Sequence, residues 1–180
     1  MTVFLCIDLE ATSGPSGLLR DMEAIELGGV AIDHTGTIFD QFQSFIKPKF
    51  TKLDHFSECV HGISGAQLEL ASNLPLVLRR LESWTLNLPE SPTCWYSWGL
   101  YDLQQLEYDA GPERWDVPLR LPEHRNAKKL FQKNQLKNGR QVGLRKALEI
   151  VGLKFDGKHH RAVDDARNLA RLLHYYHTQE

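Results

Sequence analysis

The chain opens on an apolar run, Val3 to Leu9, interrupted only by Asp8, which is the pattern of a strand buried on both faces; Gly14-Pro15-Ser16-Gly17 then breaks it with a loop. Glu23 to Ile32 predicts a second strand, and an Asp33-His34-Thr35-Gly36 turn follows. Thr37 to Ile46 alternates Ile38, Asp40, Phe42 and Ser44 on one face with Phe39, Gln41, Gln43 and Phe45 on the other, so the first three strands form an antiparallel meander that Lys47-Pro48 ends. From Ser64 the period becomes helical. Ser64 is the N-cap expected for Gly65 to Leu70, and Leu74, Val77, Leu78, Leu81, Trp84 and Leu88 line one side of a helix starting near Pro75. Pro89 and Pro92 stop it, Thr93 to Trp98 reads as a short aromatic strand, and Tyr101 to Tyr108 as a short helix with Leu103 and Leu106 inward. Gly111 to Pro122 is expected to be an irregular surface loop, followed by helices near Lys128 to Lys137, Gly143 to Val151 and Val163 to Tyr176.

Three strands, helices, one strand and more helices indicate an α/β sandwich with a mixed sheet. The 180 residues, without internal repeats or a linker, suit a single domain over 1–180 that buries roughly 70% of its unfolded surface. No apolar run is long enough for a membrane span and no basic segment leads into a cleavable leader, so a cytoplasmic location and no membrane partner are expected. Cys6, Cys59 and Cys94 are odd in number and far apart, which fits thiols in a reducing compartment and not a structural zinc site.

Candidate chemistry begins inside the first strand. Asp8 and Glu10, one residue apart, project from the same side of a β-strand and could hold a divalent cation between them. A buried apolar strand rarely carries two acids on one face without a counter-charge. The triplet alone is common, so partners are required. Asp102 follows Ser97-Trp98-Gly99 just past the aromatic strand, and Asp165 lies in the opening turn of the last helix, preceded by His160. Taken singly, either acid could serve only to complement a helix dipole, and His160 could be a solvated loop residue. Taken together they cannot all stay ionised cheaply, because two unit charges about 4 Å apart repel by roughly 4 kcal/mol at an effective dielectric of 20. Oxygen-only ligation selects hard cations such as Mg²⁺ or Mn²⁺, and a pair of them suits in-line displacement at phosphorus. A histidine at the rim is suited to take a proton from the attacking water.

These blocks, in order, resemble the DEDDh 3′-to-5′ exonucleases: Asp8-Leu9-Glu10-Ala11-Thr12, Asp102 after Ser97-Trp98-Gly99, and His160 ahead of Asp165. Glu23-Ala24-Ile25-Glu26-Leu27-Gly28-Gly29-Val30 is similar to that family's second strand, and His61-Gly62-Ile63-Ser64 to its His-Gly-Ile-Thr segment. Lys154-Phe155-Asp156-Gly157 leading into His159-His160-Arg161-Ala162-Val163-Asp164-Asp165 resembles most the enhanced-RNAi (Eri-like, KapD-like) exoribonuclease branch. The resemblance implies an RNase H-like fold, a mixed five-stranded sheet flanked by helices, and stepwise release of 5′-monophosphates with two Mg²⁺ or Mn²⁺ ions. It makes Asp8 the bridging ligand, Glu10, Asp102 and Asp165 its companions, and His160 the general base in preference to His159. It also sets Leu9, Ala11 and Thr12 around the terminal nucleotide.

Charge adds a candidate grip. Eight of the 21 Lys and Arg fall between Arg125 and Lys146, where there is no acid, so the other thirteen face all 23 Asp and Glu. Lys133, Lys137 and Arg140 are the expected phosphate contacts in this window, and Trp98 and Tyr101 are candidates for stacking on bases, against the plainer readings of a solvated helix face and core aromatics. RNA is the expected partner. The alternatives are the same fold acting mainly on DNA 3′ ends, or an inactive RNA-binding module.

Overall fold

The computed structural model describes residues 2–136 and 139–177; Lys137 lies outside them. The meander comprises β1 (Val3–Ala11), β2 (Ala24–Asp33) and β3 (Ile38–Phe45). Three helices follow, α1 (His55–His61), α2 (Gly65–Glu69) and α3 (Leu74–Leu86), then β4 (Cys94–Ser97) and α4 (Tyr101–Ala110). The chain continues through β5 (Glu123–Asn126), α5 (Ala127–Gln135), α6 (Leu144–Ile150) and α7 (Ala162–His177). The five strands form one sheet in the order β3-β2-β1-β4-β5, antiparallel through β2 and β3 and parallel where β1 meets β4 and β4 meets β5. The mixed five-stranded sheet implied by the family resemblance is therefore present, one strand more than the hydrophobic pattern alone predicts.

Alternation along β1 divides the core in two. Val3, Leu5, Ile7 and Leu9 pack with Leu74, Leu78, Leu81 and Leu106 from α3 and α4, whereas Phe4 and Cys6 pack with Phe131, Leu144, Leu148, Leu169 and Leu173 from α5, α6 and α7. Each such buried aliphatic contributes roughly 1.5–3 kcal/mol relative to exposure, so both faces of β1 are anchored. Asp8 and Glu10 continue the Phe4 and Cys6 row, which places them on the α7 face.

Two elements go beyond the hydrophobic pattern. The helix α1 has only seven residues and no apolar stripe, and its ends specify it instead: the Asp54 carboxylate accepts the Ser57 N–H at 2.7 Å, and Gly62 closes it at φ 69°. The strand β5 reads Glu-His-Arg-Asn and is ordered by pairing with β4, from Cys94↔Glu123 to Ser97↔Asn126. The Gly111 to Pro122 segment is irregular as expected, yet Trp115, Val117, Leu119 and Leu121 pack against the α3 side of the core.

Candidate active site

The site forms where β1 outruns its neighbour. β1 pairs with β4 only around Leu5↔Trp95 and Cys6↔Tyr96, so beyond Ile7 its β4-facing edge has no strand partner. Asp102, in the first turn of α4, fills that place, its Oδ1 accepting the Leu9 N–H at 3.1 Å. On the other side Asp8 lies opposite Gly28 of β2. A Cβ at Gly28 would stand 2.2 Å from the backbone of Ala162 and Val163, so the missing side chain lets α7 begin directly over the strand pair. Asp165, one turn into α7, thereby reaches the β1 acids. Asp8, Glu10 and Asp165 each offer a carboxylate oxygen, and these lie within 4.8 Å of one another.

The electrostatics record this crowding. Burial first, and then the charges of Asp102, Asp165, Glu10 and Glu26, hold the Asp8 carboxyl well above the ordinary carboxylate range. Burial, Asp165 and Glu26 push Glu10 to about 8. Asp102 is pushed by burial to about 6 against the opposing hydrogen bonds from Leu9, its own backbone and Ser97. Asp165 is also raised by burial to about 6, while the His160 N–H, donated to its Oδ2 at 2.8 Å, favours the ionised form. Four acids are thus poised to lose protons once positive charge arrives.

Two histidines border them. His160 Nδ1 lies 4.0 Å from Glu10 Oε1, and its side chain is 46% exposed at the rim. His159 Nε2 lies 3.8 Å from Asp165 Oδ1, with its ring packed edge-on against Phe155 at 5.2 Å. Burial and the neighbouring His159 lower the His160 pKa, which keeps its imidazole neutral and able to accept a proton near pH 7.

With this geometry goes a family match: the description of the exonuclease family (RNase_T) fits residues 5–173. The chain belongs to the exonuclease family. Human 3′-5′ exoribonuclease 1 is 30% identical over 94% of this exonuclease chain and 51% of its own length. The zebrafish (Danio rerio) protein named ERI1 exoribonuclease 2 is 28% identical over 93% of the chain and 34% of its own length. The exonuclease chain thus spans about half or less of these relatives. The solved nuclease domain of 3′hExo, described as a DEDDh family member bound to rAMP, superposes with a TM-score of 0.85 at 24% identity, covering 98% of this chain and 92% of that one. The resemblance read from the motif blocks and the RNase H-like fold are both borne out.

The exonuclease residues fit hard divalent cations. The donors are carboxylate oxygens alone, they converge within 4.8 Å, and burial together with their mutual repulsion raises their pKa values, which a bound cation would reverse.

The structure treats the expected substrate contacts unequally. Ala11 is partly exposed, but Leu9 is buried in the α3 side of the core, and Thr12 is buried with its hydroxyl taken up by the Glu23 N–H at 3.0 Å and Thr51 Oγ1 at 2.9 Å. The Trp98 indole donates to the Val142 carbonyl at 3.0 Å and its ring meets Phe131 edge-on, which is the core reading of that residue. Tyr101 is 37% exposed beside Asp102 at the head of α4. Lys133 and Arg140 are exposed on the α5 side, and Lys137 lies outside the described residues. Lys128, absent from the expected contacts, reaches over Gly99 between β4 and Asp102; the acid-free window was the only sign of it in the sequence. Among the described residues no helix is long and apolar enough to cross a membrane.

Proposed function

We propose that this exonuclease domain removes nucleotides one at a time from RNA 3′ ends as 5′-monophosphates, with two Mg²⁺ or Mn²⁺ ions and His160 as general base. The observation that carries this reading is the meeting of Asp8, Glu10 and Asp165 within 4.8 Å, with Asp102 on the adjoining backbone and His160 at the rim. The four carboxylates would hold the cations, which when bound would supply neutralising charge and polarise the phosphate and the attacking water. The neutral His160 imidazole takes the proton from that water and the acids orient its ring. Ala11 and Tyr101 flank the terminal nucleoside, the aromatic face supplying sequence-tolerant stacking. Lys128, Lys133 and Arg140 bind the phosphates that follow. RNA is preferred to DNA because both relatives carry the name exoribonuclease.

The test is incubation of the purified protein, with Mn²⁺ or Mg²⁺, with 5′-labelled and 3′-labelled RNA and DNA oligonucleotides. One-nucleotide ladders from RNA 3′ ends that vanish with EDTA are expected. Preferential shortening of DNA moves the substrate to DNA; absence of cleavage, or cleavage indifferent to chelator, refutes the enzyme.

A further inference from the structure

Glu26 is fully buried near the start of β2, opposite Glu10 in the strand register. A carboxylate taken out of water persists only when it is paired and hydrogen-bonded. Glu26 meets that demand almost entirely from one segment. Arg161 donates through Nε at 3.1 Å and Nη2 at 2.9 Å, the Ala162 N–H donates at 3.2 Å, and only the Gln43 amide, at 2.5 Å, comes from elsewhere. The two Arg161 bonds form the planar fork that a lysine cannot reproduce. The Phe45 ring, 5.3 Å from the guanidinium carbon, steadies the fork from the side. The Ala162 N–H is one of the first-turn donors that a helix cannot satisfy internally, so β2 caps α7 through Glu26.

What this clamp holds is unusual. His160, the preceding residue, has φ 62°, one of two non-glycine residues at positive φ among the described residues. A side-chain-bearing residue stays in that region when its surroundings over-determine it. His160 is fixed from both sides: its own N–H is bound to Asp165, and the two residues after it are bound to Glu26. If Arg161 let go, the turn could relax to ordinary backbone and carry the imidazole away from Glu10.

We infer that Glu26 and Arg161 are positioning residues whose ion pair fixes the left-handed turn that presents the His160 imidazole to the acidic cluster. The inference rests on His160 being the general base. A pair that merely welded α7 to the sheet would affect folding and leave the chemistry of each folded molecule alone.

A double-mutant cycle on the full chain separates the two. Glu26→Gln retains an acceptor for the Ala162 N–H but loses the charge, and Arg161→Lys retains the charge but loses the fork. Each is expected to lower kcat on an RNA oligonucleotide by about 10- to 100-fold, with KM and the Mn²⁺ midpoint held within about twofold. In the His160→Ala background the same changes should cost less than about twofold more, because the group they position is gone. The proposal is overturned if both variants keep wild-type kcat, or if they lower it by the same factor with and without His160. If Glu26→Gln does not fold, Arg161→Lys alone decides by the same criterion. An inactive wild type, or a fully active His160→Ala, removes the base assignment and the proposal with it; an active, His160-dependent enzyme indifferent to Glu26 and Arg161 removes only the proposal.

Discussion

The Asp102 carboxylate accepts the Leu9 N–H at 3.1 Å across 93 residues of sequence, standing where a longer β4 would otherwise have paired. One side chain thus both closes the end of a strand and adds charge to the cluster, and two substitutions separate these tasks. Asp102→Asn keeps an acceptor for Leu9 and removes the charge, so it should melt near wild type while losing Mn²⁺ affinity and nearly all activity. Asp102→Ala also leaves the Leu9 N–H unpaired and should lose about 1–3 kcal/mol of stability besides. Thermal melts paired with calorimetric Mn²⁺ titrations check both, and equal melting of the two variants would deny the strand-end role.

Asp8 and His160 are expected to fail in different ways. Asp8→Asn removes a member of the converging triad and should abolish Mn²⁺ binding together with turnover. His160→Ala leaves that triad intact and should keep the Mn²⁺ midpoint while lowering kcat by a factor of about 10² to 10⁴. Metal titration beside single-turnover kinetics gives the comparison; equal loss of metal binding in both would refute the division of roles.

The acids make the metal-free protein sensitive to alkali. Glu10 is raised to about 8, and Asp102 and Asp165 to about 6, each above its ordinary value, so between those limits the folded chain holds protons that the unfolded chain has released. Stability is therefore fullest below about pH 4 as far as these groups decide it, and falls as pH climbs to about 8. Melting temperature in EDTA should drop over that interval, and millimolar Mn²⁺ should flatten the drop, releasing protons as it binds. Some slope should survive, because burial also raises Asp109 to about 6, away from the cluster and tied to Arg114 and the Ala24 N–H. A metal-free melting curve that rises from pH 5 to pH 8 would contradict the picture.

Phosphate contacts are read from salt dependence. Lys128→Ala and Lys133→Ala should each weaken binding of a non-cleaved RNA and reduce the slope of log K against log salt by about 0.7, the value for one contact on a single strand. Fluorescence anisotropy in EDTA at several salt concentrations measures it. An unchanged slope at Lys133 would return that part of α5 to ordinary solvated surface.

Much of this was legible in the chain because the informative residues break a local rule. Asp8 and Glu10 interrupt an apolar strand, and the acid-free stretch from Arg125 to Lys146 interrupts an otherwise acidic chain. Such violations tend to mark functional positions. β5 was invisible for the opposite reason: Glu123-His124-Arg125-Asn126 has no apolar alternation, and only the open edge of β4 makes it a strand. The commitment of Thr12 to Glu23 and Thr51 depends on how the loops after β1 and β3 fold together, which no local pattern encodes. The Glu26 and Arg161 pair joins residues 135 positions apart; Glu26 does break an apolar strand, but nothing local says that its partner is Arg161.

The two leading acids sit on the central strand of the sheet, paired along one edge with β2 and, past the short contact with β4, held on the other by the Asp102 carboxylate at Leu9. Amides of such a strand exchange with solvent chiefly through global opening, so the acid rail is expected to be among the slowest-exchanging parts of the molecule. The surfaces proposed to meet the remainder of a nucleic acid lie nearer solvent: exposed lysines on α5, Tyr101 at the head of one helix and Ala11, partly exposed where β1 ends. A well-protected acid strand beneath a solvent-facing rim suits the proposed activity, in which bases of any kind would be accepted in turn while every phosphate comes to the same place.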